Sequence, residues 1–502
     1  MMANMPAARV AASDSSAHRS EGDAGHYEAL LARDARFDGR LFVGVTSTGI
    51  YCRPVCRVRT PLRRHCRFFA SAASAEVDGF RPCLRCRPEL APGLSLIDSS
   101  QALSLQAARL MEQAVAEGRD LAISDLASRL GVTDRHLRRI FQHTHGVAPL
   151  AWLMTRRLLQ AKQLLTDTKL PVTDVANASG FASLRRFNAA FAERYRMNPT
   201  ALRRQRKAPA PDDHGALVLR LAYRPPYDID GVLRFLRARA LPGVEAVEGL
   251  EVRRTLAWPH AGTGLRGWMC TRFVPERHEV EMRVAPSLAP VIGTLLQRQR
   301  QALDLDADPA LIDAGLRPLA LPPVPGLRLP GGIDSFEVAV RIILGQQVTV
   351  AAARTLTHRL VEALGDPIDT PLPALSRLFP TASAMAAADP DQIGRLGIVR
   401  QRVRALQALA AAVASGQLEL QPGAPLAPTL ERLRELPGVG EWTVQLIAMR
   451  ALAWPDAFPA TDVGVLNALG TRDAMAVELM SQAWRPWRAY AVMRLWQSLE
   501  NP

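Results

Sequence analysis

Apolar positions along the chain change their spacing from block to block. Between residues 100 and 206 they recur every three or four residues, the period of helices with one buried face. Within that block ISDLASRLGVTDRHLRRIFQ (123–142) sets Leu126, Leu130, Leu137 and Ile140 on one side. Gly131 falls at a turn and Thr133 stands where it can cap the next helix. VTDVANASGFASLRRFNAAFAERY (172–195) has the same plan, with Gly180 at its turn and Ser183 as the cap. AWLMTRRLLQAKQLL (151–165) reads as a long helix between the two. From 216 to about 300 the pattern mixes. LVLRLAY (217–223) and EVEMRVA (279–285) alternate like strands, and GVLRFLRARAL (231–241) is helical. From Asp334 to Leu499 the segments are helical, broken by turns such as GDP, LPGVG and WPDAFPATD. GRLFVGVTSTGIYC (39–52) is β-like, and QRKAPAPDDH (205–214) is rich in proline and charge, as a linker would be. The first two dozen residues are polar and Ala/Ser-rich, and read as a disordered tail.

At 502 residues the chain has room for three or four domains, and its 48% hydrophobic content can fill several cores. Lysine and arginine outnumber acids 62 to 48, a net charge of +14 that favours a polyanionic partner, nucleic acid first. Free use of arginine across a GC-rich proteome is the plainer alternative. No stretch resembles a membrane span, since the Ala-rich run around 405–415 is short and broken by Gln407. The N-terminus lacks the apolar core of a signal peptide, so cytoplasm is expected, where structural disulfides are rare. Five of the six cysteines nevertheless fall between 52 and 86, which points to metal binding.

Cys52 and Cys56 form one close pair, Cys83 and Cys86 another, 27 residues on from Cys56. Four thiolates on two such turns can surround one tetrahedral Zn²⁺. An inert or redox cluster and a purely structural zinc are the alternatives, and Cys66 could replace one ligand. TSTGIYCRPVCRVR (46–59) and GFRPCLRCRPE (79–89) resemble the N-terminal domain of the Ada methylphosphotriester-repair proteins. That resemblance implies that Cys52 accepts a methyl group from a DNA phosphotriester. A four-thiolate zinc site carries a net charge of about −2, and methylating one sulfur leaves about −1. Repair should therefore raise DNA affinity, with Arg53, Arg57 and Arg59 holding the backbone.

The paired motifs at 123–142 and 172–195 have the form of two helix-turn-helix units. The second ends in a GFxSxxxFxxxFxxxxxxxP pattern that resembles AraC-type transcription factors, in the order found in Ada. Solvent-facing Arg135, His136, Arg138, Arg139, Arg185, Arg186 and Asn188 are the candidates for DNA contact, and charged faces of ordinary helices the bland reading. A full Ada protein would continue into a methylguanine methyltransferase with a Pro-Cys-His-Arg nucleophile. Cys270, in GWMCTRF, lacks that context, so O⁶-methylguanine repair is expected to be absent.

LPGVGEWTV (436–444) has the glycine spacing of a helix-hairpin-helix, which lets backbone amides approach a DNA phosphate. Gly438, Gly440 and Thr443 are its candidate DNA-binding residues. FPATDVGV (458–465) adds Asp462, 20 residues after Trp442. The arrangement resembles the helix-hairpin-helix glycosylase superfamily, in which that aspartate is catalytic; alternatively Asp462 only caps the helix from Val463. The likeness is closer to AlkA, the 3-methyladenine glycosylase of broad range, and takes in LRLPGGIDSFEVAVRIILGQQVTVAAA (327–353) and WRPWRAYAVMRLW (484–496). It implies that Trp442 and Trp496 line the base pocket. Indole faces attract flat cations, and N-alkylated purines are cationic; both tryptophans could also be plain core. Gln347 stands where a leucine wedge is common, and Leu446 where some relatives carry an aromatic residue.

The expected fold is thus multidomain and mainly α. Its parts are a disordered tail (1–24), a small α+β zinc domain (25–93), a double helix-turn-helix domain (100–206), a linker (207–215), a small α+β domain (216–300) and an all-helical helix-hairpin-helix glycosylase domain (301–500). The expected function is a methylphosphotriester-accepting transcriptional activator fused to a monofunctional glycosylase for alkylated bases. One alternative is an endonuclease-III-type glycosylase/lyase, which needs a hairpin lysine and usually an iron–sulfur cluster. The other is a transcription factor whose C-terminal half only senses damage. One Zn²⁺, a candidate monovalent-cation site at the hairpin and no iron–sulfur cluster are expected. So are double-stranded DNA and RNA polymerase as partners, no membrane, a monomeric state, and a bacterial cytoplasm.

Overall fold

The computed structural model describes residues 20–33, 41–56, 58–69, 72–86, 96–205, 215–260 and 263–500. They separate into two compact units, Met1–Ala108 with Ile123–Pro149 and Arg109–Ala122 with Leu150–Pro502. The tail expected over 1–24 lies outside the described residues as far as 19. Its last five residues are a correction, because Ser20–Leu31 forms helix α1. The expected linker lies outside the described residues up to 214.

In the first unit, β1 (Phe42–Val45) and β2 (Ile50–Cys52) make a hairpin in which Val43 pairs with Cys52. β3 (Cys66–Phe69) flanks β1, and β4 (Arg81–Pro82) runs parallel to β2, giving the order β3-β1-β2-β4. Helix α2 (Ala72–Val77) helps close a small core of Phe42, Tyr51, Ala75 and Phe80. Gly44 is obligatory there, since a Cβ would come within 2.9 Å of the Phe69 and Phe80 rings. Helix α3 (Leu96–Ala116) follows, belonging to the second unit from Arg109 on, and then come α4 (Ile123–Arg129) and α5 (Asp134–His145) of the first. Thr133 caps α5 as expected, its Oγ1 accepting from His136 N at 3.2 Å. Leu126, Leu137 and Ile140 are buried, and Leu130 is half-buried.

In the second unit, α6 (Pro149–Asp167) is the expected long helix, followed by α7 (Val172–Ala178), α8 (Leu184–Tyr195) and α9 (Pro199–Gln205). Ser183 caps α8 by accepting from Arg186 N at 3.4 Å. A five-stranded antiparallel sheet comes next, in the order β5-β9-β8-β7-β6. Its strands are β5 (Leu217–Ala222), β6 (Glu245–Glu248), β7 (Glu251–His260), β8 (Thr263–Val274) and β9 (Glu279–Val284), with α10 (Ile229–Arg239) after β5. β5, α10 and β9 match the alternation and period. β6, β7 and β8 are not predicted; within β7, Arg253, Arg254 and Pro259 interrupt the alternation. Arg254 is buried only because it pairs with Glu245 at 2.9 Å and Glu337 at 2.6 Å.

Helices α11 (Ile292–Ala302) and α12 (Pro309–Gly315) lead to the helical block. It comprises α13 (Ser335–Leu344), α14 (Val350–Leu364), α15 (Ala382–Ala387), α16 (Pro390–Arg395), α17 (Arg400–Ala414), α18 (Leu426–Arg434), α19 (Glu441–Arg450), α20 (Val463–Ala468), α21 (Ala474–Ser481) and α22 (Arg488–Glu500). α13 is buried over almost its whole length and is the axis on which α14, α17 and α19 pack. The chain is multidomain and mainly helical, as its periodicity predicts.

Candidate active site and metal centre

The hairpin between α18 and α19 is shaped by its glycines. Gly438 sits at φ 75°, in the left-handed region, and a Cβ there would lie 3.2 Å from Ala405 Cβ. Gly440 occupies the N-cap of α19 with open space where a side chain would be, so the helix's first amides face outward bare. Gln346, in the turn after α13, fastens this hairpin: its Nε2 donates to Gly438 O and to Thr443 Oγ1, both at 2.9 Å. Arg402 of α17 in turn donates to Gln346 O. Thr443, the third candidate for DNA contact, lies in the first turn of α19. It is 2% exposed and its hydroxyl is taken by Gln346, leaving only its backbone for a phosphate.

Beside the hairpin lies a cavity of about 1250 Å³ whose wall includes Trp442, Leu446, Asp462, Trp496 and Gln347. Asp462 terminates the loop before α20 and caps it, Oδ1 accepting from Val465 N at 3.0 Å. The capping role and a place in the cavity therefore coexist. Trp496 Nε1 donates to the same Oδ1 at 2.8 Å, and Trp442 Nε1 donates to Oδ2 at 2.8 Å. Two indoles, from α19 and α22, thus hold one nearly buried carboxylate by their edges while lining the cavity. Gly464 makes the approach feasible, for a Cβ there would fall 2.9 Å from Trp496 Cδ1 and 3.1 Å from Asp462 Oδ1. Leu446 is buried in the wall. Gln347 is exposed at φ 54°, pushed outward on the tight turn between α13 and α14.

Sequence reasoning missed the opposite wall. Phe235 and Arg239 enter from α10, Arg450 from the end of α19, and both guanidinium groups lie over the Phe235 ring, at 3.7 and 4.8 Å from its centre. No local spacing could reveal this, because α10 belongs to the preceding α+β segment. The Gln346–Gln347 pair after Gly345 was a usable signal for the hairpin clamp.

In the zinc domain, the parallel pairing of β2 and β4 sets Cys52 beside Cys83, whose N donates to Tyr51 O at 3.0 Å. The Sγ atoms of Cys52, Cys56, Cys83 and Cys86 all lie within 4.8 Å of one another, and all four residues are buried. Cys66 is elsewhere, on β3 against Leu62 O at 3.4 Å, so it does not substitute for a ligand. Four sulfurs this close cannot all ionise without a cation. The Cys52 and Cys86 thiols beside Cys56 hold its ionisation down to about 2, while those hydrogen bonds and burial push Cys52 far above the usual thiol range. Such a donor set fits Zn²⁺, which would keep every sulfur as thiolate.

Arg53 is a second correction. Only 1% exposed, it is packed into the domain and does not offer its guanidinium to a DNA backbone. Arg59 is exposed, and Arg57 lies outside the described residues. On α5, Arg135, Arg138 and Arg139 are exposed and His136 half-buried, with Arg138 paired to Asp134 at 2.9 Å and Arg139 beside His136 at 3.0 Å. On α8, Arg185, Arg186 and Asn188 are all exposed.

Profiles of four families match the chain. They are the metal binding domain of Ada over residues 25–89, a helix-turn-helix domain over 126–205, the AlkA N-terminal domain over 218–334, and the HhH-GPD superfamily of base excision DNA repair proteins over 340–488. A probable bifunctional transcriptional activator/DNA repair enzyme AlkA of Mycobacterium tuberculosis is 40% identical over 491 residues, 95% of this chain and 96% of that one. DNA-3-methyladenine glycosylase 2 of Escherichia coli is 33% identical over 276 residues, 55% of this chain and 95% of its own. The bifunctional transcriptional activator/DNA repair enzyme Ada of E. coli is 35% identical over 156 residues, 30% of this chain and 41% of Ada. With its zinc-binding, helix-turn-helix and glycosylase parts in one polypeptide, the chain belongs to the family of bifunctional transcriptional activator/DNA repair enzymes that join an Ada-type sensor to an AlkA-type DNA glycosylase.

Proposed function

We propose that the pocket hydrolyses the N-glycosidic bond of alkylated bases such as 3-methyladenine, with Asp462 as the catalytic group. The observation that carries this reading is the three-donor seat of Asp462, two indoles and a helix amide. Oδ1 accepts Val465 N–H and Trp496 N–H and Oδ2 accepts Trp442 N–H, which fixes the group in place and leaves one lone pair, on Oδ2, to face water. The charge of Asp462, fixed at the cavity wall, suits stabilising a cationic sugar. The bond from C1′ to the base nitrogen breaks, its electron pair leaving with the base. Water then adds to C1′ and its proton passes to solvent. Trp442 and Trp496 supply flat faces to a flipped cationic base, and Leu446 gives it an aliphatic edge. Gln347 fills the gap in the duplex, and the hairpin backbone from Gly438 to Gly440, with the uncapped amides that open α19, takes a phosphate, with a monovalent cation at the hairpin.

At the other centre, Cys52 is the methyl acceptor. Its sulfur attacks the methyl carbon of a phosphotriester, the C–O bond breaks, and the restored diester leaves with the electron pair. Bound zinc would supply the charge that keeps the nucleophile ionised. The chain acts on double-stranded DNA as a cytoplasmic monomer and recruits RNA polymerase through its activator half, with Arg59 and the exposed arginines of α5 and α8 on phosphates and bases.

Incubating the protein with methylated DNA should release free bases and leave abasic sites. Release that persists in Asp462→Asn would overturn the catalytic assignment. Methyl label from phosphotriester DNA should vanish with Cys52→Ser.

A further inference from the structure

The second helix-turn-helix is joined to the glycosylase half by more than the chain between them. β5 is an edge strand, whose outward backbone groups need cover. α6 supplies it: Gln163 Nε2 donates to Arg220 O at 2.9 Å, and Arg220 N donates to Asp167 Oδ2 at 3.4 Å. α11 meets the end of α3 so closely that a Cβ on Gly293 would lie 2.4 Å from Ala116 O. Thr294 Oγ1 donates to that carbonyl at 3.2 Å, and Gln160 Nε2 donates to Val115 O at 3.2 Å. Leu158 and Leu165 of α6 and Phe187 of α8 share one buried cluster with Leu221, Ile292 and Leu295. Backbone capping, a glycine-dependent close approach and a continuous core make this one folded body.

We propose that α8 is a DNA anchor for base excision as well as a promoter-reading helix, its exposed Arg185 and Arg186 gripping phosphates of the duplex on which the pocket works. This rests on the reading of that pocket as a glycosylase. When one duplex spans both, two DNA-binding faces fixed in one body engage it at a high effective concentration, which a loose tether would dilute. Each phosphate contact releases about 0.9 counterion, so at 0.15 M salt each arginine contributes roughly fivefold in affinity.

The test uses the full chain and a duplex with one alkylated purine and no promoter sequence. Arg185→Ala with Arg186→Ala should raise KM roughly 30-fold, leave kcat unchanged, and lower the slope of log KM against log salt by about two. A KM that stays level or falls would overturn the proposal. An error in the base-excision reading would appear instead as no base release by the parent protein. A protease site placed within 206–214 gives a second readout that needs no catalysis. After cutting, the two pieces should co-elute in gel filtration, and should part when Gly293→Val is added. Pieces that separate without that substitution would refute the shared body.

Discussion

Gly464→Ala tests the indole–carboxylate seat without removing any of its donors or acceptors. The new methyl would stand 2.9 Å from Trp496 Cδ1 and 3.0 Å from its Nε1, where carbon contacts need about 3.5 Å or more. Trp496 must therefore yield by roughly half an ångström, stretching its 2.8 Å bond to Asp462 beyond about 3.2 Å, the edge of useful hydrogen bonding. A hydrogen bond to a charged group contributes about 1.5–3 kcal/mol, so single-turnover excision should slow roughly 10- to 150-fold. Stability should fall too, by less than the bond is worth, because alanine's advantage over glycine in a helix, about 1 kcal/mol, offsets part of the loss. Quenched-flow excision on a duplex with one 3-methyladenine, beside a thermal melt, reads both. Trp496→Phe, which keeps a face and loses the donor, should show a similar fall. Parent-like rates in both variants would refute the claim that the indole edges position Asp462, leaving the tryptophans only their faces.

Other substitutions separate neighbouring residues of one type. Cys83→Ser should lose zinc measured by mass spectrometry, and Cys66→Ser should keep one ion per chain. Arg53→Ala should loosen the zinc domain by about 1–3 kcal/mol, seen as faster proteolysis, because its guanidinium is packed inside. Arg59→Ala should keep the fold and only lower the salt dependence of DNA binding, by about one unit of slope. Burial pushes the Asp304 carboxyl, which accepts from Tyr490 Oη at 2.8 Å, up to about 7. A folded pKa above the unfolded value of about 4 means that the native state holds an extra proton between them. That contribution is complete below about pH 4 and is lost as pH rises through 7. Asp304→Asn should flatten this slope in urea melts taken from pH 4 to 8, and asparagine also tolerates the φ of 52° there. A variant curve parallel to the parent's would show that Asp304 does not titrate in this range.

What could be read from the sequence was whatever a single segment encodes. The caps at Thr133, Ser183 and Asp462, the hairpin glycines and the four-cysteine spacing are local devices, and each appears where its residues stand. What could not be read depends on which segments meet. Arg53 stood among arginines of identical appearance, and its burial follows from the packing around β2, which no pattern of charge records. β7 escaped because Arg254, out of place in a buried strand by composition, is neutralised by Glu245 and by Glu337, the latter 83 residues away. The tryptophans show the limit most sharply. An indole offers both a π face and an N–H donor, and a sequence gives only the ring. The sequence suggests Trp442 and Trp496 as faces for a cationic base and says nothing of their N–H groups. Both donors converge on Asp462, so in the proposed mechanism the residues that present surfaces to the base would also fix the charge that its departure requires. Any change that tilts an indole to fit a bulkier base must then also move the carboxylate, which ties substrate range to rate in this pocket.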